Sequence, residues 1–207
     1  MNTILLIDDN IYVVEVFLEM LRQGGYLASV ANTGEECLKI LKNVVPDLIL
    51  LDIMMEPIDG WETLEKIKGE ITTAQIPVIM LTSKHVTPAE MEKYGKYIED
   101  YVLKPVTNIQ LCNVIEHVFQ RQQTIQSAVD QAMRRGVHFG IVREYALLSR
   151  SVDINKRFLD IFKTRYILDN SNIDTIDSIG QTLEKLDTTL KFQKTRLQLI
   201  EKEIKTT

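Results

Sequence analysis

Cysteine is scarce in this 207-residue chain, present only as Cys37 and Cys112. Two thiols so far apart make neither a disulfide framework nor a metal cluster, so both are expected as packed thiols in a reducing compartment, the cytoplasm. Histidine is scarce too. His85, His117 and His138 are widely spaced with no cysteine nearby, which favours surface or packing positions over a metal site. No apolar run approaches the ~20 residues of a membrane span, and no membrane association is expected. The first residues do not read as a signal peptide, because no basic segment precedes the apolar start and Asp8-Asp9 interrupt it. Residues 121–207 lack glycine-rich motifs and any dense set of His or Cys, which argues against a phosphatase or cyclase in that stretch.

What is present is enough apolar residue for a core, 45%, with 26% charged. The length suits one or two domains. The net charge of −5 conceals an asymmetry: residues 1–120 hold 9 Lys/Arg against 18 Asp/Glu, and residues 121–207 hold 15 against 11. Such a shift marks differently tasked parts. The acidic part is a poor non-specific binder of nucleic acid; the mildly basic part leaves that question open. We divide the chain into 1–120, 121–170 and 171–207.

Within residues 1–120, short apolar runs recur at Ile4–Ile7, Leu48–Leu51 and Val78–Leu81. They are continuously apolar, as strands buried on both faces must be. Tyr26–Ala31 and Tyr101–Leu103 are weaker strand candidates. Helical patterns lie between them. Thr33 with Glu36, Asp59 with Glu62, Thr87 with Glu90 and Thr107 with Gln110 are each spaced to cap a helix start, with Pro88 at a first helical position. Gly24-Gly25 ends the first helix. Trp61 is expected to cover a helix–sheet seam. Five strands alternating with helices predict an α/β fold with a doubly wound five-stranded parallel sheet. In such sheets the functional site lies at the carboxyl ends of the strands.

Those ends carry Asp8-Asp9, Asp52, Thr82 and Lys104. Three carboxylates in one pocket repel one another and call for a cation; hard oxygen ligands suit Mg²⁺ or Mn²⁺. A metal beside a carboxylate, a hydroxyl and an ammonium fits phosphoryl transfer, with Asp52 as nucleophile. Taken singly, an Asp-Asp is usually a solvated turn and a Lys-Pro a loop. Here they occur in order, each directly after its apolar run.

With Asp52-Ile53-Met54-Met55 running to Asp59-Gly60, Thr82-Ser83 and Tyr101-Val102-Leu103-Lys104-Pro105, residues 3–120 resemble the response-regulator receiver domain of two-component signalling. The resemblance implies that Asp52 accepts a phosphoryl group from a sensor histidine kinase. It implies that Asp8, Asp9, Asp52 and the backbone carbonyl of Met54 hold Mg²⁺ (or Mn²⁺). It further implies that Thr82 and Lys104 bind the phosphoryl oxygens, that Tyr101 changes rotamer on activation, and that the peptide bond before Pro105 is cis. Glu56-Pro57 departs from the family, which usually has proline first. A haloacid-dehalogenase-type hydrolase also uses a strand-end Asp, but generally needs a second Asp two residues on, where this chain has Met54.

After Thr107, Leu111, Ile115, Val118, Gln122, Ile125, Val129 and Ala132 alternate in steps of four and three, and no Gly or Pro intervenes before Gly136. One helix is expected to run on past the receiver. Residues 137–170 read as two amphipathic helices separated near Ser151-Val152-Asp153. Their positive charge has the general look of a DNA-binding segment, but no glycine-containing tight turn with helix-turn-helix spacing is found. Asp169-Asn170-Ser171-Asn172 is a polar break. Beyond it, Ile176, Leu183, Leu190, Leu197 and Ile204 at a positions, with Ile179, Leu186, Gln193 and Ile200 at d positions, predict a coiled coil. The alternative is a helix folded back on residues 137–170. The expected protein is a response regulator that is not an enzyme acting on metabolites. Its helical output works through protein–protein contact, as a homodimer or with a helical partner. DNA binding by residues 137–170, as in a transcriptional regulator, is the rival reading.

Overall fold

The computed structural model describes residues 1–84, 86–168 and 173–206. His85 and the Asp169–Asn172 break lie outside the described residues, as do the side chains of Tyr166, Ile167, Ile176 and Ile179. The chain divides into two compact units, Met1–Val118 and Phe119–Thr207.

The first unit alternates strand and helix in chain order: β1 (Thr3–Ile7), α1 (Ile11–Gln23), β2 (Leu27–Ala31), α2 (Gly34–Ile40), β3 (Leu48–Asp52), α3 (Gly60–Gly69), β4 (Val78–Thr82), α4 (Pro88–Tyr94), a 3₁₀ turn (Gly95–Tyr97), β5 (Asp100–Leu103) and the start of α5 (Asn108–Arg134). All neighbouring strands pair in parallel, in the order β2-β1-β3-β4-β5. The order reverses between β1 and β3, so the switch point lies beside the ends of those strands. Every residue of β3 and β4 is buried, which is why neither strand alternates.

Local chemistry sets the helix starts. Thr87 and Glu90 form a full reciprocal capping box, and Thr107 and Gln110 exchange the corresponding bonds. Asp59 accepts from Glu62 N. At α2 the outcome differs in one bond: Thr33 caps Glu36 N, but the Glu36 carboxylate accepts from Asn32 N, one residue earlier than a capping box requires. Gly25 takes φ 79°, which closes α1 in a conformation that side chains resist.

The second unit is helical. Its part of α5, together with α6 (Phe139–Leu168) and α7 (Ile173–Thr206), makes up its described elements. α5 is one continuous helix, as the spacing predicts. α6 is also one helix, not the expected two. Ser151 and Asp153 do not interrupt it, because their side chains are occupied inside the unit: Ser151 accepts from Gln193 and Asp153 pairs with the buried Arg121. α7 packs along α6. Leu190 and Ile200 of the heptad stripe are buried, and Leu183, Leu186, Leu197 and Ile204 are half-buried. The described part of the stripe expected to form a coiled coil is thus covered, wholly or in part, within the chain. Ala132, Val137 and Val142 form a small core with Val129, Ile141 and Ile204 against them.

Candidate phosphoryl-transfer site

β1, β3 and β5 deliver Asp8, Asp52 and Lys104 to one end of the sheet. Asp52 is the last residue of β3, and Asp8 and Lys104 directly follow β1 and β5. Ligand oxygens of Asp8, Asp9 and Asp52 lie within 4.8 Å of one another. Asp8 and Asp52 are buried, and Asp9 is exposed. Lys104 Nζ donates to Asp8 Oδ2 at 2.6 Å and lies 3.1 Å from Asp52 Oδ1. The second contact is an ion pair without hydrogen-bond alignment, so the buried Oδ1 has no hydrogen-bond partner. The Lys104 ammonium also stands 5.8 Å from the centre of the Phe17 ring.

Burial pushes the Asp52 carboxyl above its usual range. Lys104 and the Met54 amide pull it down, Asp8 adds to the rise, and the upward effects prevail. Three carboxylates and one ammonium leave two negative charges uncompensated when all are ionised. An all-oxygen donor set, an orphaned buried oxygen and a charge of that size fit a hard divalent cation.

The surrounding backbone is built for this crowding. Gly60 N donates to Ile53 O at 2.9 Å. A Cβ on Gly60 would stand 2.0 Å from the Asp52 carbonyl oxygen, so only glycine lets α3 start there. Asp9 Oδ2 accepts from Glu56 N at 3.2 Å and ties the β3–α3 loop to the cluster. The bonds before Pro57 and Pro105 are both cis, the second as the resemblance implies. Lys104 N donates to Thr82 O at 2.7 Å. Thr82 is buried, and its hydroxyl turns to its own loop: it accepts from Lys84 N and donates to Lys84 O, both at 2.9 Å. Tyr101 is buried on β5 beside Met80 of β4.

Sequence reasoning missed the connections of the β4–α4 loop. Trp61, expected over a helix–sheet seam, is buried and reaches α4. It stacks on Tyr94 of α4, with ring centres 4.4 Å apart and planes at 6°, and donates to Glu90.

A family model described as the response regulator receiver domain matches residues 4–116. The chain belongs to the response-regulator receiver family. A receiver structure from Methanoculleus marisnigri is 58% identical, covers 57% of this chain and 96% of its own, and superposes with a TM-score of 0.50. The receiver of sensor histidine kinase PA1611 from Pseudomonas aeruginosa has magnesium coordinated in its active-site cleft. It is 25% identical, covers 56% of this chain and 95% of its own, and has a TM-score of 0.51. The transcriptional regulatory protein AfsQ1 of Streptomyces coelicolor is 37% identical over 58% of this chain and 52% of its own length. The chain spans about half the length of the curated relatives it matches first. Beyond the receiver, a model described as "Metanogen output domain 2" matches residues 121–207.

Among the described residues, no helix is long and apolar enough to cross a membrane.

Proposed function

We propose that Asp52 accepts a phosphoryl group from a sensor histidine kinase and that this switches the helical unit. The observation that carries the reading is the meeting of Asp52 with Asp8, Asp9 and Lys104 at the carboxyl ends of β1, β3 and β5. An Asp52 carboxylate oxygen attacks phosphorus; the bond from phosphorus to the kinase's histidine nitrogen breaks, and that nitrogen keeps the bonding pair. Lys104 lies between Asp8 and Asp52, and its side chain turns so that the ammonium pairs with a phosphoryl oxygen. The Thr82 hydroxyl turns from Lys84 to donate to the same group, and Tyr101 fills the space it leaves. Asp8, Asp9, Asp52 and the Met54 carbonyl would hold Mg²⁺ (or Mn²⁺), which neutralises charge on the equatorial oxygens. Beyond phosphoryl transfer and slow self-dephosphorylation, no enzymatic activity on metabolites is assigned, and the working compartment is the cytoplasm. Incubation with acetyl phosphate and Mg²⁺ followed by intact-protein mass tests the assignment. The wild type should gain one phosphoryl group and Asp52→Asn none; equal uptake would sink it.

The output is read as protein–protein interaction, by self-association or with a helical partner. The names of curated relatives favour a second reading, DNA binding by residues 137–170. Against it, α6 is a single helix with no turn to set a recognition helix. A salt-dependent shift on duplex DNA would favour that second reading.

A further inference from the structure

The Glu90 carboxylate is shared between two tasks. Its Oε2 accepts from Thr87 N at 2.7 Å and Thr87 Oγ1 at 2.8 Å and so caps α4. Its Oε1 accepts from Lys84 Nζ at 3.0 Å, in the β4–α4 loop, and from Trp61 Nε1 at 3.2 Å, in α3. The same Lys84 gives both its main-chain groups to the Thr82 hydroxyl. Thr82, Lys84, Glu90 and Trp61 therefore form one chain of contacts from the strand-end pocket to the α3–α4 face.

A hydroxyl has a single proton. If Thr82 donates it to a phosphoryl oxygen, Lys84 O loses its donor, and rotation takes the lone pairs away from Lys84 N. The loop is then freed from its anchor. The Lys84–Glu90 pair, with the lysine side chain half exposed, is too weak to hold the loop alone. A second tie between α3 and α4, Lys93 to Glu65 at 2.9 Å with the Trp61–Tyr94 stack beside it, does not pass through Lys84.

We propose that Glu90 is a clasp between the Thr82 loop and Trp61, so that phosphorylation at Asp52 releases Lys84 from Glu90 and alters the α3–α4 face while the Lys93–Glu65 tie holds. This regulation rests on the receiver reading above. Trp61 is the chain's sole tryptophan, so its emission reports this face. The test uses the full chain with Mg²⁺ as baseline, then acetyl phosphate, with uptake by intact mass and emission read on the same samples. In the wild type, emission changes in proportion to uptake, and Asp52→Asn shows neither. Lys84→Met takes up phosphate as the wild type does but loses most of the emission change. Glu90→Gln is a second, independent variant: its one amide oxygen keeps the Thr87 cap, its amide NH2 then faces Lys84 and Trp61 and cannot accept from either, so the resting emission shifts and the phosphorylation-linked change is again mostly lost. Normal uptake with an undiminished emission change in either variant overturns the clasp, as does full wild-type uptake with constant emission. If the wild type takes up no phosphate, the receiver reading itself fails, and the clasp with it.

Discussion

Burial removes water from the Asp52 carboxylate, and Asp8 repels it; Lys104 and the Met54 amide only partly compensate. Its folded-state proton affinity is raised above that of the unfolded chain, whose value is near 3.8. A group raised in this way favours the fold most below the unfolded value, and that contribution is lost as pH rises through the folded value. At neutral pH without metal, Asp52→Asn should therefore be more stable than the wild type, because the variant carries no charge to bury. The advantage should shrink below about pH 4, where both states of the wild type are protonated. Mg²⁺ should stabilise the wild type selectively and narrow the gap. Urea unfolding of both forms across pH, in chelator and in Mg²⁺, checks this, and a wild type that is the more stable form in chelator contradicts it. At this scale the site was legible: Asp8, Asp52, Thr82 and Lys104 each end or follow a run of buried strand residues, so the pattern of burial alone points to them. Glu90 was legible only as a cap. Its contact with Trp61 joins residues 29 positions apart, and no local spacing announces such a meeting.

Between α6 and α7 a polar layer interrupts the apolar contact. Asn155 Nδ2 donates to Gln193 Oε1 at 2.9 Å, and Gln193 Nε2 donates to Ser151 Oγ at 2.8 Å. Sliding α7 by one turn would part Gln193 from both Ser151 and Asn155 of α6, so this layer fixes the register of the two helices. Gln193→Leu should cost about 1–2 kcal/mol, because it leaves Asn155 half-buried without its acceptor. Replacing all three together, as Gln193→Leu, Asn155→Leu and Ser151→Ala, should recover most of that loss. Chemical denaturation followed by helix signal distinguishes these outcomes; additive losses in the triple variant would reject the layer. The existence of both helices was legible from their apolar spacing. The number of helices in 139–168 was not, because a Ser-Val-Asp sequence reads as a break unless its partners, Gln193 and Arg121, are known. The stripe on α7 was legible as well, but periodicity states only that a face is buried, not whether the covering helix comes from the same chain.

For the whole molecule, cover of the described part of that stripe within the second unit turns the proposed self-association to another side of α7. Phe192 and Leu199 are exposed large apolar residues on α7, seven positions and so about two turns apart, which puts them on one side of the helix. The full chain should associate at high concentration through this side. Phe192→Asp combined with Leu199→Asp should abolish association and leave helix content and phosphate uptake intact. Light scattering measures this, and a wild type that stays monomeric with and without phosphorylation contradicts it. The first unit has a different character. The bond from Lys104 to Asp8 joins residues 96 positions apart, and every strand pairing beneath it is parallel and needs a long crossover. Contacts of such long sequence separation close late in folding. An emerging or half-folded chain thus has β1 and its acids before it has the lysine that sits between them. The reactive pocket comes into being only with the finished sheet, so a nascent chain cannot be read as a signalling one.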